Sequence, residues 1–365
     1  MTDEGGAGFD TLGELESAGA KRADRSAWAY VEGGAGEEVT LAANRRAFAR
    51  RTLRTRVLAG IAELDLSTTI LGSPVRSPFF VAPTAYHGAL HPDAEGGTAR
   101  AAARAGILAV FSTLSSLSLE EIAESRPTGP RWFQLYLQPD FAATRKLVER
   151  AERAGYGALV LTADVPVLGA RDRQAEAGFA IESSVPIGNG PEVVPPARAP
   201  TRTRTGYVLR ADGAASWEIL DRLREVSRLP IVVKGILTGA DALEAVRHGA
   251  RAILVSNHGC RQLDRAPASL DALEEVVAAV GSRAEVYLDG GVRRGSDVLI
   301  ALASGARAVG LGRPVLWALA AGGEAGVARL FRLLDEELAT ALALTGCARV
   351  REVSEAVIGT KSDPP

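Results

Sequence analysis

The chain has 365 residues, 47% hydrophobic and 24% charged, with a formal net charge of -2. That size suits one α/β barrel or two ordinary domains, and so small a charge gives no support for a nucleic-acid or membrane-surface partner. Two cysteines, Cys260 and Cys347, cannot make a disulfide framework; with no secretory signal in MTDEGGAGFD and no apolar run near the ~20 residues of a membrane span, a cytoplasmic protein is expected.

Residues 9 to 70 read as a short helical lead-in. Apolar runs then alternate with Ala- and Leu-rich helical stretches. The runs are PFFVAP (78–83), ILAVFS (107–112), WFQLY (132–136), GALVLTAD (157–164), PIVVKG (230–235), RAILVSNHG (251–259), EVYLDG (285–290) and ARAVGLG (306–312). Apolarity without alternation is what strands of a parallel sheet, covered on both faces, require. Several of the helical stretches, such as AEGGTARAAARAG and SDVLIALASG, end in Gly, a common helix stop. Eight strand–helix units predict an α/β fold, the (β/α)8 or TIM barrel.

One step, from Asp164 to Lys234, is far longer than the others. It holds an insertion at 172–212 with five prolines, read as a mobile loop that is either a lid or padding. No domain boundary is visible, so 1–365 reads as a single domain. The tail GTKSDPP is expected to be disordered.

Barrel active sites form at the C-terminal ends of the strands. Here those ends offer Thr84, Ser112, Gln134, Tyr136, Thr162, Asp164, Lys234, Ser256, His258, Asp289, Gly312 and Arg313. Each alone has a structural reading; together they argue for a site. His258, in SNHGCRQLD, is either a strand-terminal turn residue or a proton-abstracting base. As a base it needs a partner, and Asp164 can orient its ring and stabilise its protonated form. Arg171 and Arg261 suit an anionic substrate whose carboxylate adjoins the reacting carbon. Tyr30 and Tyr136 can add hydroxyl hydrogen bonds. DGGVRRGSD and GLGRP supply Gly291, Arg293, Gly312 and Arg313, a glycine-and-arginine corner fit for a phosphate. Lys234 either holds a cofactor ring or pairs with an acid. His87 and His91 lack further ligands at suitable spacing, so no metal site is expected, and Cys260 reads as structural.

SNHGCRQLD resembles the SNHGGRQLD signature of the FMN-dependent 2-hydroxy acid oxidase and dehydrogenase family. VAPTA, FQLY, LTADVPVLGAR, IVVKGIL, DGGVRRGSD and GLGRP stand around it in that family's order, from about Tyr30 to about residue 345. The resemblance implies that His258 is the base and Asp164 its partner, with Tyr136 beside them. Arg171 and Arg261 would bind the substrate carboxylate, and Tyr30 and Tyr136 would hydrogen-bond the substrate. Thr84, Ser112, Gln134, Thr162, Lys234 and Ser256 would hold the isoalloxazine and ribityl parts of FMN. Asp289, Gly291, Arg293, Gly312 and Arg313 would hold its ribityl and phosphate end.

The resemblance further implies oxidation of an (S)-2-hydroxy acid to the 2-oxo acid. O2 is the expected acceptor, giving hydrogen peroxide; a quinone or cytochrome would make the chain a dehydrogenase instead. Family members form tetramers or octamers, so a homo-oligomer is expected. Two residues depart from the pattern. Cys260 stands at the signature's second glycine, and Leu114 stands where glycolate oxidases carry a Trp. The smaller Leu114, with TLSSLSLEEIA and GRPVLWALAAGG, resembles the mandelate and hydroxymandelate oxidase branch and points to an aryl or bulky substrate such as mandelate. The rival readings are another phosphate-binding barrel and a catalytically inactive flavin-binding scaffold. Neither calls for His258, Arg171 and Arg261 together.

Overall fold

The apolar runs become eight parallel strands: β1 (Phe79–Val81), β2 (Ala109–Ser112), β3 (Arg131–Leu135), β4 (Leu159–Thr162), β5 (Ile231–Ile236), β6 (Ala252–Val255), β7 (Glu285–Asp289) and β8 (Ala308–Leu311). This computed structural model describes residues 8–125, 128–178, 185–197, 201–204, 206–209 and 215–361. Neighbouring strands pair in sequence order, and β8 closes on β1 with Val309 opposite Phe79, so the sheet is a closed barrel. The expected TIM barrel is present.

Side chains alternate between two buried environments, which is why the runs show no polar period. Phe80, Val110, Trp132, Val160, Val232, Leu254 and Tyr287 fill the barrel interior. Phe79, Val81, Phe111, Phe133, Leu161, Val233 and Ile253 face outward into the larger core beneath the helices.

Three helices form the lead-in: α1 (Leu12–Arg22), α2 (Arg25–Glu32) and α3 (Val39–Ala49). The crossover helices are α4 (Ala94–Ala105), α5 (Leu119–Ser125), α6 (Phe141–Arg153), α7 (Glu218–Val226), α8 (Gly239–Arg247), α9 (Ser269–Val280) and α10 (Gly295–Ala303), followed by α11 (Arg313–Thr345). Their ends follow from sequence. Asp24 caps α2 through the amides of Ser26 and Ala27, and Asp140 caps α6 through that of Ala142. The long α11 kinks at Gly322-Gly323, and Asp93 Oδ2 accepts from Glu324 N at 2.9 Å where it resumes.

A hairpin of Thr68–Ile70 and Ser73–Val75 closes the N-terminal end of the barrel, sending Ile70 and Val75 into the interior cluster. The tail differs from expectation. Ile358–Lys361 pairs antiparallel with Arg51–Leu53, because the end of the lead-in leaves a strand edge for it; residues 362–365 lie outside the described residues.

Of the mobile loop expected at 172–212, residues 179–184, 198–200, 205 and 210–212 also lie outside the described residues. The described part includes a short turn of helix at Asp172–Glu176 and a segment, 185–197, that buries Asn189 and Val193 against the barrel. No described helix is long and apolar enough to cross a membrane.

Candidate active site

Two residues beyond the apolar interior, the same strand faces turn polar. Ser112 Oγ donates to Gln134 Oε1 at 2.9 Å, and Gln134 Nε2 donates to Thr162 Oγ1 at 2.9 Å. Lys234 Nζ donates to Ser256 Oγ at 2.9 Å, and that hydroxyl donates to Asp289 Oδ1 at 2.6 Å. Lys234 and Asp289 are also 3.6 Å apart, so a buried cation is balanced by a buried carboxylate. Lys234 thus pairs with an acid, and it also lines the cavity.

Beyond β6 the chain turns sharply. His258, Gly259 and Cys260 have φ of +60°, +62° and +67°, a run of left-handed residues that aims the imidazole across the mouth. The turn is anchored from behind by two reciprocal amides. Asn44 Nδ2 donates to Asn257 Oδ1 at 3.0 Å, and Asn257 Nδ2 donates to Asn44 Oδ1 at 2.9 Å.

His258 Nδ1 lies 3.1 and 3.3 Å from the Asp164 carboxylate oxygens. That contact assigns the Nδ1 proton and leaves Nε2, 3.5 Å from Tyr136 Oη, as the basic nitrogen facing the cavity. Burial lowers the His258 pKa below the ordinary imidazole value, against the Asp164 charge that raises it, so the ring is neutral near pH 7. Burial pushes Asp164 upward, but its pairing with His258 and the Lys234 charge outweigh it and hold the carboxyl ionised.

Arg171 and Arg261 converge beside the base. Arg261 Nη1 donates to Gly33 O at 2.9 Å, and its guanidinium stacks 4.5 Å from the Tyr30 ring centroid. Arg261 Nη2 is buried without a hydrogen-bond partner among the described residues, an unspent donor beside the cavity. Arg171 Nε donates to Arg261 O at 3.1 Å. Burial and then the Arg261 charge lower its pKa to about 10, so it stays cationic and favours an anion.

The second positive corner lies where β7 and β8 end. Burial and then the nearby Arg313 charge lower Arg293 to about 9, and Arg293 stacks 4.6 Å over the Trp317 ring. Two such guanidiniums close together suit a phosphate. Much of Arg313 serves the fold, donating at 2.9–3.0 Å to the carbonyls of Val31, Gly259 and Gly33. Those bonds tie α2 and the base-bearing turn to the barrel rim.

One cavity is lined by Tyr30, Thr84, Ser112, Gln134, Tyr136, Thr162, Arg171, Lys234, His258, Arg261, Asp289, Gly291, Arg293, Gly312 and Arg313. Asp164 and Ser256 stand behind this lining, holding His258 and Lys234. Sequence reasoning missed the support around it. His87 Nε2 lies 2.7 Å from Thr84 Oγ1, and fully buried Glu95 accepts from the amides of His87 and Ser116 at 3.1 and 2.9 Å. Pro195 and Pro196 from the insertion also line the cavity. Among the described residues no cluster could hold a metal ion.

Residues 19–360 match the FMN-dependent dehydrogenase family. The chain belongs to that family. It is 47% identical over 349 residues to an L-lactate oxidase of Nostoc sp., a match covering 94% of this chain and 96% of the relative. It is 42% identical over 357 residues to a glycolate oxidase of Spinacia oleracea, covering 97% and 96%. A crystal structure of mandelate oxidase with benzoyl-formic acid superposes with a TM-score of 0.87 at 41% identity, covering 98% of this chain and all of that one.

The cofactor is therefore FMN, and the reaction class is FMN-dependent oxidation of a 2-hydroxy acid. The donor set fits that cofactor. A polar strand-end layer with a buried lysine can face an isoalloxazine ring, and the Arg293–Arg313 corner offers the charge that a phosphate needs.

Proposed function

We propose that the chain oxidises an (S)-2-hydroxy acid bearing an aryl or bulky side chain, with mandelate as the type, and that O2 is the electron acceptor. The observation that carries the substrate preference is the apolar part of the cavity wall. Buried Leu114 and Tyr86 lie there, with Leu168, Pro195 and Pro196 completing an apolar surface on the same cavity. Such a surface stabilises an apolar substituent by about 25 cal/mol per Å2 buried. A hydroxymethyl substrate such as glycolate has no substituent to bury.

In this reading Arg171 and the unspent Nη2 of Arg261 take the substrate carboxylate. That charge-assisted pairing fixes the orientation of the neighbouring C–H and O–H bonds. Neutral His258 accepts one proton at Nε2, and Asp164 stabilises the imidazolium that results. Tyr136 donates to the substrate oxygen; burial raises its pKa above the ordinary phenol value, so it stays protonated as a donor. Tyr30, stacked on Arg261, holds that guanidinium at the cavity. FMN, when bound, would supply the two-electron redox chemistry of the oxidation, with O2 as final acceptor and hydrogen peroxide as its product.

The test is anaerobic mixing of the FMN-loaded protein with S-mandelate, S-lactate and glycolate, followed by air. Fastest bleaching of the flavin by S-mandelate, with rapid return of colour and peroxide, is expected. Faster bleaching by glycolate would overturn the substrate reading. Bleaching that air does not reverse would overturn the acceptor and make the chain a dehydrogenase.

A further inference from the structure

Gly235, next to the last residue of β5, has a conformation and a distance to its neighbours that suit glycine alone. Its φ is +106°, and the register of β5 against β6 shifts between Lys234 and Ile236, the mark of a bulge. Strict alternation would put Lys234 and Ile236 on one face. Instead Lys234 lines the cavity while Ile236 joins the outer core with Val233. The bulge also brings bare backbone against the strand-four end. A Cβ on Gly235 would lie 2.5 Å from Asp164 Cβ, 2.6 Å from its Cγ and 2.9 Å from its backbone nitrogen. Carbon atoms pack at about 3.5–4.0 Å, so no side chain fits without moving Asp164. The carboxylate thus rests on Gly235 with its oxygens 3.1 and 3.3 Å from His258 Nδ1.

We propose that Gly235 is a positioning residue for the reaction: the space left by its missing side chain is the seat that holds Asp164 against His258. The inference rests on His258 being the base. The charged and titratable groups facing the imidazole are Asp164 beyond β4, Lys234 from β5, Tyr136 beyond β3, and Arg171 and Arg261 from the loops above. Of these only Asp164 favours the imidazolium. A side chain at 235 displaces that carboxylate, leaves the cations unopposed and loosens the ring's orientation.

The experiment uses the full FMN-loaded chain as wild type, Gly235→Ala, Asp164→Asn and the double variant. Gly235→Ala is expected to lower kcat about 100-fold, the size of effect a displacement near 1 Å can have. KM for the hydroxy acid should change far less, because both arginines remain. The acid limb of the kcat/KM profile should move to lower pH. In the Asp164→Asn background, Gly235→Ala should lower kcat by less than about twofold, because the group it displaces has already lost its charge. An equal loss in both backgrounds, or an unmoved acid limb, overturns the proposal.

Thermal melting supplies a second readout that needs no turnover. Asp164→Gly removes both clashing side-chain atoms, so Gly235→Ala should depress Tm less in that background than in the wild type. Equal depressions would mean that the left-handed backbone and the Asp164 amide, not the carboxylate side chain, demand glycine, and the proposal fails. Asp164→Asn with undiminished kcat would instead sink the reading of His258 and Asp164 as the catalytic pair, while leaving the melting comparison interpretable.

Discussion

Val110, Trp132, Val160, Val232 and Tyr287 fill the barrel interior, and two residues further along the same strands stand Ser112, Gln134, Thr162, Lys234 and Asp289. One strand period, about 7 Å, separates a dry layer from a reactive one. The lower layer is sealed by the 68–75 hairpin and packs aromatic rings, with Tyr287 5.9 Å from both Phe80 and Trp132. The upper layer satisfies its polar groups mutually and opens to the cavity. Stability and chemistry are thus stacked along each strand, which suggests that each can be damaged without the other.

The strongest test of that separation is in the upper site. His258 has φ of +60°, and Asn is among the side chains that tolerate the left-handed region, so His258→Asn removes the base without adding backbone strain. It should lower kcat by about 10^2- to 10^4-fold. FMN content and Tm should barely change. In the wild type, burial sets the imidazole pKa below its ordinary value. The base is therefore active above that lowered pKa, and kcat/KM should fall tenfold per unit as pH drops beneath it. The variant should lack this acid limb. A variant that melts much earlier would tie base and scaffold together and break the contrast.

The lower layer should respond in the opposite way. Trp132→Ala leaves a cavity in the sealed interior and should cost about 3–5 kcal/mol of stability. Urea unfolding would measure it, while KM and the pH profile of the surviving enzyme should hold. A shift of the acid limb in this variant would show the two layers to be mechanically coupled.

A smaller effect is expected where the upper layer meets the substrate. Leu114→Trp fills the apolar wall, and should lower kcat/KM for mandelate relative to glycolate by about 10- to 200-fold, the range that pocket volume alone can supply. Steady-state assays on both acids would decide it. An unchanged ratio would mean that Leu114 does not face the substrate side chain.

The layering explains what was legible in the sequence. Strands buried on both faces announce themselves as unbroken apolar runs, and polar residues ending such runs stand out. His258, Asp164, Lys234 and Asp289 were readable for that reason. Glu95 was not, because an acid in the first turn of an Ala-rich helix looks like an ordinary solvated residue until tertiary folding buries it under three backbone amides. Asn44 was hidden similarly: its partner Asn257 is 213 residues away. Arg313 read as a phosphate ligand, and its three carbonyl bonds to α2, the segment after it and the His258 turn could not be foreseen from a local motif. Contacts that join distant segments leave no period and no spacing to read.

The smallest expected effect concerns the departure from the signature at Cys260. An L-residue in the left-handed region carries about 1–2 kcal/mol of strain, which Cys260→Gly would remove. Against this, glycine adds unfolded-chain freedom of about 0.4–1 kcal/mol. The variant also loses a buried sulfur that accepts from Asn44 Nδ2 at 2.9 Å. The terms nearly cancel, so stability should change by no more than about 1 kcal/mol, well within what a single substitution commonly costs. The turn should keep its shape, because Cys260 N donates to Asn257 O and Oδ1 at 2.9 and 3.1 Å whatever the side chain. Hence kcat should stay within about twofold, as it would for a change that leaves the base's geometry intact. A tenfold loss would mean that the thiol, and not the backbone, holds His258 in place. Burial pushes that thiol up to about 12, so in the wild type it should also resist thiol reagents until the chain unfolds.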